Sequence, residues 1–313
     1  MRKIICIIIC FSIFCFTKEI FGNDFGYISY STSNIGDDIQ AIAAKRFLPE
    51  NSIPVDREFL SQFQHSSKVS TVVNGWFMHK PKDLGSNRGS KYNWPPSSAI
   101  DPLLISMHFT QAFVPFALSP ESCEYFKEHG PVGARDYFTL QLLQSKNIPS
   151  YFSGCLTLTL DNFSEERDDI IYAVDISDKC VNFIRSKTKR KVEVITHQIN
   201  KELRLDNEQR LKHSEKLLEK YKRAKCVITS RLHAAMPCLG LETPVLLINI
   251  QGDQYRFDGL RELVRNCTLQ EFLNDDIDFN FDEPSENPKT YIPIRENLIE
   301  MLNTWVVSRM SNA

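Results

Sequence analysis

The stretch from residue 226 to residue 249 constrains this chain more than any other. Cys226-Val-Ile-Thr229 is a short, unbroken apolar run of strand length. Ser230-Arg-Leu-His233 then opens a helix running to Leu239, Gly240 supplies its cap, and Thr243-Pro-Val-Leu-Leu-Ile-Asn249 reads as the next strand. A buried strand, a covering helix and a second buried strand make the repeating unit of a parallel sheet, whose crossover helices must shield its faces from water.

The same alternation recurs upstream. Tyr27–Tyr30 reads as a strand, Ser31 to Gly36 as a turn, and Asp37–Leu48 as a helix stopped by Pro49. Val69–Val73 and Leu103–His108 read as strands, Ser122–His129 and Asp136–Lys146 as helices. A second series begins after Gly154: strand Ile170–Val174, helix Lys179–Arg185, strand Val192–Thr196, and Glu208–Arg223 as an amphipathic helix with its charges outward. The pattern predicts an α/β fold of two Rossmann-like domains facing a cleft. The expected boundary lies near residues 153–168, with an N-terminal domain over 23–155 and a C-terminal domain over 156–313 that includes a terminal helix, Ile294–Ser308.

Arg2 and Lys3 precede an apolar run from Ile4 to Phe16 that only Ser12 interrupts. A helix of that length rises about 20 Å, short of the roughly 30 Å hydrocarbon slab. Residues 1–22 are therefore expected to be a signal peptide or a membrane anchor, and the body to be a secretory-pathway protein, secreted or held at a membrane by this segment. Six cysteines follow it: Cys123, Cys155, Cys180, Cys226, Cys238 and Cys267. One or two disulfides or buried free thiols are both compatible with them. Asn162 and Asn266 head glycosylation sequons.

With 37 Lys plus Arg against 39 Asp plus Glu, the net charge is −2, so no global field holds a nucleic acid. Charged chemistry must be local. Ser230-Arg231-Leu232-His233 sits where ligands bind in open parallel sheets, at a strand end and a helix N-terminus that welcomes anions. Arg231 adds a planar fork and His233 a titratable proton. The same residues also suit a domain-boundary ion pair and a satisfied helix histidine. Gly133-Ala-Arg135-Asp136 repeats the arrangement in the first half, with Asp136 a natural helix cap and Arg135 either facing the opposite domain or making a surface ion pair. In Asn34-Ile-Gly36-Asp37, Gly36 lets backbone approach a ligand, or Asp37 caps the helix. His108, at a strand end, points into the same crevice or is a hydrogen-bonded structural residue. No dinucleotide fingerprint and no phosphate-loop lysine occurs.

Taken in this order, these pieces resemble the polysaccharide pyruvyltransferase family. The resemblance rests on the Asn34-Ile-Gly-Asp37 turn, Val72-Val-Asn-Gly-Trp76, Gly133-Ala-Arg-Asp136 and, above all, Thr229-Ser-Arg-Leu-His-Ala234 ahead of Gly240-Leu-Glu-Thr-Pro-Val245. It implies a fold similar to two-domain GT-B glycosyltransferases. It also implies transfer of a pyruvate ketal from phosphoenolpyruvate, as donor substrate and without a cofactor, to hydroxyls of a glycan or polysaccharide acceptor. It makes Arg231, His233 and Arg135 the active site, with His233 as general acid, and Ser230, Leu232, Asn34, Gly36, Asp37 and His108 candidate substrate contacts. The scheme calls for no metal. The turn lacks the extra glycine that many relatives carry before the asparagine, which weakens a phosphate-contacting role for Asn34 and Asp37.

A nucleotide-sugar glycosyltransferase of similar shape and a non-catalytic glycan-binding protein are the alternatives. Trp76, Tyr92 and Trp94 offer sugar-stacking faces but are first of all core material. The acids of Asp276-Ile-Asp-Phe-Asn-Phe-Asp282 lack the turn glycine of a calcium loop and read as a solvated loop. Lys187-Thr-Lys-Arg-Lys191 reads as an exposed turn, or as a contact for acidic glycan or membrane headgroups.

Overall fold

The computed structural model describes residues 24–77, 94–164, 166–249 and 255–311. The leader of residues 1–22 and Tyr92 lie outside them. The first half runs β1 (Asp24–Ser29), α1 (Gly36–Lys45), β2 (Ile53–Asp56), β3 (Val69–Phe77), β4 (Ile100–Phe109), α2 (Val114–Ala117), α3 (Pro120–His129), β5 (Val132–Ala134), α4 (Tyr137–Gln144) and β6 (Ser150–Phe152). The second runs β7 (Ile170–Val174), α5 (Asp178–Lys187), β8 (Lys191–Ile195), α6 (Asn207–Arg223), β9 (Cys226–Thr229), α7 (Leu232–Gly240), β10 (Val245–Asn249), β11 (Arg265–Thr268), α8 (Leu269–Leu273) and α9 (Ile292–Met310).

Among the described residues the strands form two sheets, in the order β2-β1-β3-β4-β5-β6 and β11-β10-β9-β7-β8, and every pairing between them is parallel. The fold is the two-sheet α/β arrangement expected. In each sheet the chain reverses its direction of growth once, between β1 and β3 and between β7 and β9, and the crevices at those points face ligands in doubly wound folds.

Edges escaped the periodicity. The short strands β2, β5, β6 and β11 carry too few residues to show a pattern. The expected helix at Asp37 starts one residue earlier, at Gly36, and ends at Lys45. Asp136 does cap α4, its Oδ1 accepting the Thr139 N–H at 2.9 Å. Gly240 is the last residue of α7, and its role is close approach: a Cβ there would sit 2.7 Å from the carbonyls of Leu158 and Leu160 in the crossover between the halves.

The terminal helix α9 returns to the first half. Trp305 meets Phe25 of β1 edge-on at 6.1 Å, and Arg309 Nε donates to Asp101 Oδ2 at 2.5 Å. The stretch 156–313 is thus not wholly packed on the second sheet. Trp94 is core, ringed by Phe77, Phe113, Tyr125 and Phe126. Each such buried ring contributes about 1.5–3 kcal/mol of transfer free energy.

The six described cysteines are free thiols, all buried except the half-buried Cys123. The 187–191 run is not a bare basic turn: Lys187 pairs with Asp275, and Arg190 with Asp169, Asp282 and Glu283. It is tied to the acidic 275–283 segment of its own chain. No described helix is long and apolar enough to cross a membrane.

Candidate active site

The two halves meet along α1, which packs on α6 and α7. The seam is hydrogen-bonded as well as apolar. Asn34 and Gln198 form an isolated antiparallel bridge, Ile35 N–H donates to the His197 carbonyl at 2.9 Å, and Ile199 N–H donates to that of Ser33 at 2.9 Å. Arg210 of α6 grips Asp38 of α1 with two prongs, Nε to Oδ1 at 3.1 Å and Nη2 to Oδ2 at 2.6 Å, and donates from Nη1 to the Thr32 carbonyl. Both partners are buried. Burial pushes the Asp38 carboxyl up to about 6 despite its arginine.

Between the halves lies a cleft of about 320 Å3, open mouth included, lined by Asn34, Trp76, Arg135, His197, Arg231, Leu232, His233 and Arg256. The structure therefore brings Arg135, Arg231 and His233 to one place although Arg135 belongs to the other half of the chain. Arg135 follows β5 and is buried; its Nη1 lies 3.3 Å from His233 Nε2. Arg231 follows β9 and is about a third exposed, its Nε held by Asp175 Oδ2 at 3.0 Å. Asp175 follows β7, so this pair sits across the switch point of the second sheet.

An arginine can only donate, so the Arg135 contact makes His233 Nε2 an acceptor and leaves the ring proton on Nδ1. Nδ1 faces Asp37 Oδ1 at 3.4 Å, too long for a well-directed hydrogen bond. Burial alone would raise the Asp37 carboxyl, yet the His233 contact, the Arg57 charge and the Thr32 hydroxyl outweigh it and hold it below its ordinary value. Helix α7 begins without a side-chain cap, its first residue being Leu232, so its N-terminal N–H groups and dipole face the cleft.

The other expected contacts fall differently. Asn34 lines the cleft, with its Oδ1 taking the Gly36 N–H at 3.0 Å. Gly36 does not line it: a Cβ there would lie 2.3 Å from His197 Nδ1, so the glycine admits an imidazole of the other half. Asp37 is buried behind His233 and is not the helix cap; Ile35 holds that position. His108 is fully buried, with Nδ1 on Asp136 Oδ2 at 2.6 Å, one layer behind Arg135. Ser230 Oγ donates to the Asp175 carbonyl at 2.8 Å.

Four further residues contribute: Trp76, weighed above as a stacking face but read first as core, and His197, Arg256 and Asp175, which the sequence did not single out. Trp76 reaches the cleft because β3 shifts register between Val73 and Gly75, where Gly75 has φ +128°. Arg57 Nη1 then holds the Trp76 carbonyl at 2.8 Å. His197 hydrogen-bonds Tyr221 through Nε2 at 2.7 Å, and burial holds its pKa down to about 4. Arg256 and Asp175 complete the set. Only the position of His197 and Asp175 just beyond strand-like runs could have flagged them; Arg256, well past the end of β10, carried no such signal.

The fold and the cleft define a two-sheet, doubly wound α/β protein whose strand ends converge on a cationic crevice. The family model of the polysaccharide pyruvyl transferases matches residues 34–252, more than half of the chain. The chain belongs to the polysaccharide pyruvyl transferase family. No curated protein matches it.

Proposed function

We propose that this protein transfers a carboxyethylidene group from phosphoenolpyruvate to two hydroxyls of a glycan sugar and releases phosphate. The observation that carries this reading is the meeting of Arg135 and Arg231, from opposite halves, at a cleft that also holds His233. The donor has a carboxylate at one end and a phosphate at the other, and two planar forks hold both and orient the enol carbon between them. The uncapped start of α7 adds backbone donors for the anion.

The protons balance within the reaction. The methylene carbon takes one proton and the departing phosphate another, while the two sugar hydroxyls release two. A single imidazole relays them. An anion that draws Arg135 toward itself frees His233 Nε2 to carry the proton it passes on. His233 gives its proton to the methylene, making the neighbouring carbon electrophilic, and takes one from the first attacking hydroxyl. It passes that proton to the leaving phosphate and recovers another from the second hydroxyl as the ring closes.

The test is phosphate release from phosphoenolpyruvate in the presence and absence of oligosaccharide acceptors. Release should require an acceptor, and Arg231→Lys and His233→Ala should each abolish it without unfolding the chain. Turnover that survives both changes defeats the mechanism, and stabilisation by a nucleotide sugar instead of phosphoenolpyruvate would favour the glycosyltransferase reading. For compartment the reading follows residues 1–22: a secretory-pathway enzyme, released or anchored, to which the donor must be supplied. A reporter fused behind residues 1–22 that stays in the cytosol refutes that part.

A further inference from the structure

Asp175 stands at the carboxyl end of β7, the strand that β8 and β9 flank in the second sheet. Its φ is +50°, in the left-handed region, where a residue with a Cβ stays only if its surroundings over-determine it. Here they do. Its N–H donates to the Ile195 carbonyl at 3.2 Å, and its carbonyl accepts the Ser230 hydroxyl at 2.8 Å. Oδ1 accepts the Thr196 hydroxyl at 2.5 Å, while Oδ2 accepts both the His197 N–H at 3.1 Å and Arg231 Nε at 3.0 Å. One carboxylate thus ties the chain just beyond β8 to the cleft arginine beyond β9. The β8 side of this tie is itself fastened to the first half: the His197 carbonyl takes the Ile35 N–H, Gln198 bridges Asn34, and the imidazole lies against Gly36 and hydrogen-bonds Tyr221. Through Oδ2 and a single residue, the place of Arg231 is referred to the start of α1, in the half that carries Arg135.

We propose that Asp175 is the positioning residue of the donor site: it holds Arg231 at a fixed reach from the first half, so that Arg231 and Arg135 close together on one small anion charged at both ends. This deepens the proposed function and rests on it. Arg231 lines the cleft and is about a third exposed, and a long side chain at such a surface loses rotamer freedom when it grips a ligand. Held at Nε, it has surrendered that freedom beforehand and still presents its planar Nη pair. The two effects of the carboxylate have opposite signs. Its charge repels an anion bound to Arg231, whereas its placement of the guanidinium favours one. The sign of the change on removing it therefore tells positioning from electrostatics.

The experiment is calorimetric titration of the full chain with phosphoenolpyruvate in the absence of acceptor and, separately, with inorganic phosphate. It compares wild type, Asp175→Ala, Thr196→Val, Arg231→Gln and the double variant of Asp175→Ala with Arg231→Gln. Asp175→Ala should weaken binding by about tenfold or more, the scale of one lost charge-assisted hydrogen bond, although it removes a negative charge. Thr196→Val, at an exposed residue, changes no charge and should weaken binding in the same direction by less; it decides the matter if Asp175→Ala does not fold. In the Arg231→Gln background Asp175→Ala should cost nothing further, because it acts through that arginine. In turnover the donor KM should rise with the acceptor KM unchanged. Binding as tight as wild type or tighter in the Asp175 and Thr196 variants overturns the inference, even where the thermal midpoint falls, and so do losses that simply add to that of Arg231→Gln. If no acceptor elicits phosphate release but the coupled losses appear, the reaction falls and the positioning role stands. An unchanged donor KM in an active Asp175→Ala removes the positioning role and leaves the reaction, and a wild type that binds neither anion removes both.

Discussion

Asp37 Oδ1 stands 3.4 Å from His233 Nδ1, and the two residues occupy the first turns of α1 and α7, helices from opposite halves of the chain. This contact therefore exists only while the halves are docked. Asp37 is buried and outside the cleft lining, so any part it plays in the proposed reaction goes through the imidazole it faces.

Asp37→Asn should accordingly lower kcat by about 10²-fold or more, the usual scale of acid–base assistance, with little change in the donor KM. Equal loss in both parameters would mean that the residue touches substrate. Because the Asp37 carboxyl is held below its ordinary value of 3.8, its stabilisation is present above that pH and is lost as acid protonates it in the folded state. The variant should unfold with a flatter pH dependence below about pH 4.

Asp38 and His197, both on the seam, respond to acid with opposite signs. His197, held down to about 4 from 6.5, contributes stability that is full above its unfolded value and lost as pH falls through the folded one. Asp38, pushed up to about 6 from 3.8, contributes stability that is full below its unfolded value and lost as pH rises through the folded one. Between about pH 4 and 6 the two offset each other. Urea midpoints measured across this window should rise with falling pH in His197→Gln and fall more steeply than wild type in Asp38→Asn. Parallel curves for all three proteins would refute the compensation.

The Asp38–Arg210 pair should be costly to break and cheap to replace. Arg210→Met leaves a buried carboxylate without its partner and should cost about 3–5 kcal/mol, whereas Asp38→Leu with Arg210→Met should recover most of that. Denaturant unfolding of the two variants decides it; a double variant no better than the single one would show that the ion pair itself holds the seam.

At Gly36 the constraint is steric. Gly36→Ala drives a methyl into the His197 ring, 2.3 Å from Nδ1, and should cost about 1–3 kcal/mol as overpacking. Adding His197→Ala should relieve much of that cost, because the tightest contact is with that ring, the next being Asn34 Oδ1 at 3.0 Å. A thermal scan of the three variants checks it, and the absence of any coupling would place the penalty elsewhere.

Much of this was legible beforehand. Cys226–Thr229 and Ile170–Val174 were bounded to the residue because continuous apolar runs between polar stops define buried parallel strands without reference to the rest of the chain. Asp136 announced the start of α4 by its own chemistry. Arg135, Arg231 and His233 stood out because strand ends and helix starts leave donors unpaired wherever they occur.

Other assignments depended on what lies across the seam. Gly36 looked like room for a ligand and proved to be room for His197. Asp37 looked like a cap or a substrate contact and became the partner of His233. His108, set at a strand end, turned out to be sealed against Asp136.

The sequence alone determined the alternation of strands and helices, the two parallel sheets and the strand-to-helix turns on which the cationic residues sit, since each depends on residues near one another in the chain. Only the tertiary structure decided that Arg256 joins Arg135 and Arg231, that Trp76 turns into the cleft, and which carboxylate backs which cation. Those juxtapositions come from how one sheet is docked on the other, and no local periodicity records the orientation of two surfaces that meet from distant parts of a chain.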